Sequence, residues 1–119
     1  MSILKIIATF AERPPEVNEE QHIELVKIAM EMFGTSGGFS CLMARAESRG
    51  LKETVNSWAA GLYQAITADE VLTLIGQDRL ERMAIRAGIS VTSVTKDLTS
   101  ILPLLVDKLS LRGKLPEAA

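Results

Sequence analysis

Enzyme chemistry needs nucleophiles, bases or metal ligands, and this chain offers few of them. His22 is its single histidine and Cys41 its single cysteine. Glu19-x-x-His22 has the spacing used in the di-metal sites of helical bundles. Such a site takes two copies of the motif plus carboxylates on facing helices, and the sequence holds one copy. The ligand count makes His22 a solvated residue in a first helical turn. A Ser-His-Asp or Cys-His arrangement would also have to use His22, and nothing in the sequence marks a partner for it. Cys41 adjoins Leu42 and Met43 in an apolar stretch and reads as a buried, inert thiol. The stretch "GTSGG" (34–38) has the glycine content of a phosphate-cradling loop. It lacks the Gly-Lys-Ser/Thr ending and follows a helix rather than a strand. No catalytic residue, cofactor-binding residue, cofactor or metal ligand is expected, and the chain reads as a protein that is not an enzyme.

The remaining candidate chemistry is nucleic-acid recognition. "RLERMAIRAGISVTSVTKD" (79–97) places Ala84, Gly88 and Val94 at the spacing of a helix-turn-helix. Arg79, Arg82 and Arg86 fall on one helical face, and with Lys96 they are the candidate phosphate contacts. Against this stands the charge. Residues 67–100 carry four basic and five acidic side chains, a balance of −1. A duplex-binding surface depends on a positive field, and here Asp97 offsets Lys96. Two helices packed around a glycine stop account for the same spacing without DNA.

Composition points the same way. The chain has 119 residues and a formal charge of −2, with 47% apolar and 24% charged residues, the profile of an ordinary globular protein of one domain. Aromatic residues make up only 4%, so the core has to come from Leu, Ile, Val, Met and Ala, which suits helices. One cysteine excludes a disulfide framework and fits a reducing compartment. No run approaches the roughly 18 apolar residues of a membrane span, and the N-terminus lacks the long apolar segment of a secretory signal. The expectation is a cytoplasmic protein with no membrane partner.

The elements that would position these residues are all helices. The spacing predicts a helix over 2–11, stopped by "RPPE" (13–16). A second begins at Asn18, with Gln21 completing a capping box, and runs to Phe33 as the central buried helix, ended by Gly34 in the usual left-handed C′ manner. "TSGG" (35–38) connects to a third helix from Phe39 to Arg49. Leu51–Ala60 forms a fourth, with Leu51, Val55 and Trp58 on its buried face, and the loop "GLYQAI" (61–66) follows. Thr67 and Glu70 form a second capping box for a helix to Ile75. Asp78 caps Arg79–Ala87, and Gly88 stops it. Ser90 caps a last helix that should break or kink near Pro103, with a final turn over Leu104–Leu109. This is an all-α, compact, multihelical single domain (1–119) of about seven short helices, with a helix-turn-helix-like, homeodomain-like three-helix segment.

Four stretches occur in a recognisable order: "RGLKETVNSWAAG" (49–61), "ITADEVLTLIG" (66–76), "LERMAIRAGIS" (80–90) and "ILPLLVDKLSLRGKLP" (101–116). Together they resemble the YidB-like family of small bacterial proteins of uncharacterised function. The Ser57-Trp58 pair, the Gly88-Ile89-Ser90 turn and the Leu102-Pro103-x-x-Val106-Asp107-x-Leu109 run carry most of the likeness, which covers roughly residues 37 to 116. Residues 1–36 are then N-terminal helices packed on that region. The resemblance implies a compact multihelical domain with no enzyme activity, cofactor or catalytic residue to transfer. It also implies that Val91, Val94, Leu98, Ile101 and Leu102 continue as one buried stripe. The chain departs from the family in its apolar "GLYQAI" loop, where the family has a polar Gly-x-Asn turn, and in Ser110-Leu111, where a Ser/Thr-Pro is expected.

The expected function is that of a protein–protein interaction or self-association module. Its candidate surface is the apolar loop at Leu62, Tyr63 and Ile66. The alternative is DNA binding through residues 78–102.

Overall fold

The computed structural model describes residues 3–34, 36–62 and 64–109. Seven helices follow one another: α1 (Ile3–Phe10), α2 (Glu19–Phe33), α3 (Ser36–Ser48), α4 (Lys52–Ala59), α5 (Ala68–Ile75), α6 (Gln77–Ala87) and α7 (Val91–Leu109). There is no strand among the described residues, so the all-α expectation holds. Tyr63 and the tail from Ser110 onward lie outside the described residues.

The helix starts follow local chemistry. The Asn18 side chain accepts the Gln21 amide at 2.8 Å, and the Gln21 side chain accepts the Asn18 amide at 3.1 Å. Thr67 and Glu70 repeat the exchange at 3.1 and 2.9 Å. Each box satisfies two amides that a helix N-terminus leaves without an internal partner. Ser90 accepts the Ser93 amide at 3.1 Å and opens α7 as expected. Gly88 ends α6 in the left-handed region, with φ at 72°.

Four local expectations are corrected. α6 begins at Gln77 with Gly76 before it, so Asp78 lies inside the first turn instead of capping it. Gly76 has φ at 95°, and a side chain there would also press on the Arg45 guanidinium. α3 starts at Ser36, taking in Gly37 and Gly38 that the sequence reads as a connector. First-turn amides have no internal partner to lose, and burial of Phe39, Leu42 and Ala46 sets the helix axis. Gly34 ends α2 with φ at −81°, outside the left-handed region. It is needed because a side chain there would collide with the Met30 carbonyl.

The fourth correction concerns one of the two outcomes expected at Pro103, the break: α7 runs through it as one helix to Leu109. An interior proline costs about 3 kcal/mol. Leu105 and Val106, both wholly buried beyond it, return about 1.5–3 kcal/mol each. Packing therefore outweighs the local breaker.

One apolar cluster joins all seven helices, with Trp58, Phe33, Phe39, Leu25, Leu74, Leu80 and Leu98 among its fully buried side chains. The centre differs from expectation. α7 touches α1, α2, α4, α5 and α6, whereas α2 leaves Ile23 exposed and Met30 and Met32 half-buried. The stripe Val94, Leu98, Ile101 and Leu102 is wholly buried, with Val91 half-buried at its start. α6 and α7 are bent by 98° around the Gly88–Ser90 turn. That angle is found in helix-turn-helix units and equally in any packing corner of this kind. No single described helix is long and apolar enough to cross a membrane.

Candidate functional site

Three places gather the side chains that could carry function: the loop after α4, the outer face of α6, and a buried polar node under α1.

The loop is held from below. Trp58, fully buried, donates its indole N–H to the Gln64 carbonyl at 2.7 Å. The Ser57 hydroxyl donates to the Thr54 carbonyl at 2.6 Å and accepts the Gln64 amide at 3.2 Å. The Ser-Trp pair thus ties Gln64 to α4, which gives these two residue types a physical reason for standing together. The candidate surface divides. Leu62 is 76% exposed, whereas Ile66 is 7% exposed and belongs to the core. Ile66 is therefore corrected from surface to core: capping at Thr67 fixes the direction in which the preceding residue enters α5.

The arginine face on α6 is less free than its spacing suggests. Arg79 is half-buried, and its Nη2 donates to the Cys41 sulfur at 3.1 Å. Cys41 is correspondingly half-buried on α3 and has a polar partner, which corrects its expected burial. Arg86 pairs with Glu31 of α2 at 2.9 Å, both side chains half-exposed. Lys96 reaches Glu16 at 3.5 Å. The Glu16 carboxyl is held below its ordinary range, first by a hydrogen bond from its own backbone amide and then by Lys96. Arg82 is exposed. On the start of α7, the residues facing outward are Thr92 and Lys96, because Ser93 and Thr95 are buried and bonded to Ser90 and to the Val91 carbonyl.

Between these charges on α6 stands Ile85, 81% exposed. With Glu81, Ala84, Gly88, Ile89, Ser90 and Val91 it lines a shallow groove of about 530 Å³. Along the outer face of α6 the charges are ordered: Asp78 and Glu81 towards the N-terminus, Arg82 and Arg86 towards the C-terminus.

The third place overturns the solvated reading of His22. The ring is 2% exposed. Its Nδ1 lies 2.7 Å from Oδ2 of Asp97 on α7, and its Nε2 lies 3.2 Å from the Ala8 carbonyl of α1. Asp97 is fully buried, and its Oδ1 has no hydrogen-bond partner among the described residues. Burial pushes the Asp97 carboxyl above its ordinary range, opposed by the hydrogen bond and charge of His22 and by Arg13. Asp97 is therefore not a surface charge offsetting Lys96.

The two partners stand 75 positions apart, so no local motif links them. A signal does exist in the helical register. His22 shares a face with Leu25, Val26 and Ala29, and Asp97 sits between Val94 and Ile101 on the apolar stripe of α7. An ionisable residue on each of two buried faces is the pattern of a paired buried charge. Among the described residues, no group of three or more His, Cys, Asp and Glu side chains is placed to hold a metal ion.

No curated protein and no solved structure matches the chain. The match to a known family is more extensive than the ordered motifs suggest. It spans residues 26–118, reaching back into α2. On that match, which covers most of its length, the chain belongs to the family described as YidB-like protein.

Proposed function

We propose that this domain is a non-enzymatic interaction module that pairs with a second copy of itself across the outer face of α6. The observation that carries the reading is Ile85, 81% exposed beside an apolar groove on its own helix. A knob next to a hole is self-complementary: under a two-fold axis each copy offers what the other lacks. The charge order along α6 supports the antiparallel arrangement. It brings Asp78 and Glu81 of one copy towards Arg82 and Arg86 of the other. Leu62, on the loop after α4, is a separate exposed aliphatic residue and serves as the control surface.

Sedimentation of the full chain across concentration tests the proposal. A dimer is expected, and Ile85→Ser should weaken it by tenfold or more, since roughly 1.5–3 kcal/mol per buried isoleucine is lost on each side. Leu62→Ser should leave the dimer unchanged. A strict monomer at high concentration, or a dimer weakened by Leu62→Ser alone, overturns the reading.

DNA binding through residues 78–102 is the second reading, favoured by the 98° corner and the exposed Arg82. The pairing of Arg86 and Lys96 with glutamates and the burial of Ser93 and Thr95 weigh against it. A gel shift repeated across salt discriminates the two. Salt-sensitive binding that is lost when Arg79, Arg82 and Arg86 are changed to Ala would favour DNA.

A further inference from the structure

The node under α1 has a proton count that its geometry dictates. A backbone carbonyl can only accept, so the bond from His22 to Ala8 at 3.2 Å requires a hydrogen on Nε2. The 2.7 Å contact between Nδ1 and Asp97 Oδ2 then requires a second hydrogen, on either the ring or the carboxyl. An imidazolium beside a carboxylate and a neutral imidazole beside a carboxylic acid contain the same number of protons. Both hold one more than a neutral histidine beside an ionised aspartate. Removing that proton leaves one of the two contacts as lone pair against lone pair. It also leaves a net negative charge in the core, on a carboxylate whose Oδ1 is already without a partner.

We propose that the native domain carries one proton shared between His22 and Asp97, and that this proton clamps α1 onto α2 and α7. The pair is the only ion-pair contact among those named here that is buried on both sides, and it ties three helices through one ring. Solvent can reach its edge. His22 lines an open groove of about 910 Å³ between α1, the connector and the start of α2, with Arg13, Asn18 and Glu19 beside it. The charges around the pair are Arg13, acting on Asp97 from the connector, Glu19 on the groove wall, and Lys96, which is committed to Glu16.

The sign follows from linkage. In the unfolded chain histidine titrates near pH ~6.5 and aspartate near ~3.9. Between those values the unfolded chain already carries the proton on His22. Above about pH 6.5 it does not, and folding must take one up. The folded state is therefore favoured on the acid side of neutrality and loses ground as pH rises, by up to about tenfold in the folding equilibrium per pH unit. When the proton leaves, the contact at risk first is the Ala8 carbonyl, and α1 loosens before the rest of the core.

Two measurements on the full chain decide this. Nitrogen-15 and carbon-13 NMR of the His22 ring and the Asp97 carboxyl report the protonation state directly at neutral pH. Either two protonated ring nitrogens beside a carboxylate, or one beside a protonated carboxyl, supports the clamp. A neutral ring beside an ionised carboxylate overturns it. Urea unfolding from pH 6 to 8.5 should show the wild-type equilibrium falling more steeply than that of Asp97→Asn, whose amide N–H can donate to Nδ1 so that a neutral ring with its hydrogen on Nε2 keeps both contacts without the extra proton. Equal slopes overturn the proposal. Should Asp97→Asn fail to fold, hydrogen exchange of the wild type replaces it. α1 amides should lose protection with rising pH faster than α5 amides, and parallel loss counts against the clamp. None of these readouts depends on whether α6 forms a dimer.

Discussion

The outer face of α6 and the node beneath α1 use side chains of the same kinds in opposite media. Arg86 and Glu31 meet at 2.9 Å with both side chains half in water. His22 and Asp97 meet at 2.7 Å with neither in water. The shorter distance is not the important difference. In solvent, each charge of the α6 pair is nearly as well off alone, so pairing contributes little and leaves the face free for other partners. In the interior, each member of the His22–Asp97 pair is expensive without the other, so the contact fixes which helices lie together. A count of charges along the sequence treats both regions alike, and it is the medium that separates them.

The comparison can be broken most severely at the node. Asp97→Ala leaves the His22 ring without its main partner and should destabilise the fold by about 3–5 kcal/mol, read from urea unfolding. A loss below about 1 kcal/mol would mean that the node is not a structural clamp. The loop after α4 sharpens the same contrast over four residues. Ile66→Ala removes core volume and should cost about 2 kcal/mol. Leu62→Ser should stay within about 0.5 kcal/mol, with the helical signal of both variants retained. Equal effects at the two positions would contradict their opposite exposure. The smallest expected effect is at Arg86 and Glu31. A double-mutant cycle with alanine should give a coupling of about 0.2–1 kcal/mol, fading in concentrated salt. A larger, salt-resistant coupling would mean that this pair is more shielded than its exposure indicates.

The features legible from sequence share one property: their physics lies within a few residues. Both capping boxes, the Ser90 cap and the left-handed Gly88 were readable because donor and acceptor are three residues apart or fewer, or because one backbone angle decides the outcome. The buried stripe of α7 was expected from the family resemblance, and its burial agrees with the apolar spacing of those residues along the helix. The same local rules misread Asp78 and the glycines of α3, and allowed a break at Pro103 that does not occur. At each, a local preference competes with burial supplied by other helices.

By itself, then, the sequence determined the helical class, the approximate helix ends and the absence of a recognisable reactive motif. These follow from composition, periodicity and short-range hydrogen bonding. Only the tertiary structure decided that Ile66 turns inward while Leu62 and Ile85 face solvent. It alone set Arg79 against Cys41, and His22 against Asp97 across 75 positions. The reason is that a polar side chain's role depends on the dielectric around it and on the partner within about 3 Å. Both are properties of how seven helices come together, and neither is written into any one of them.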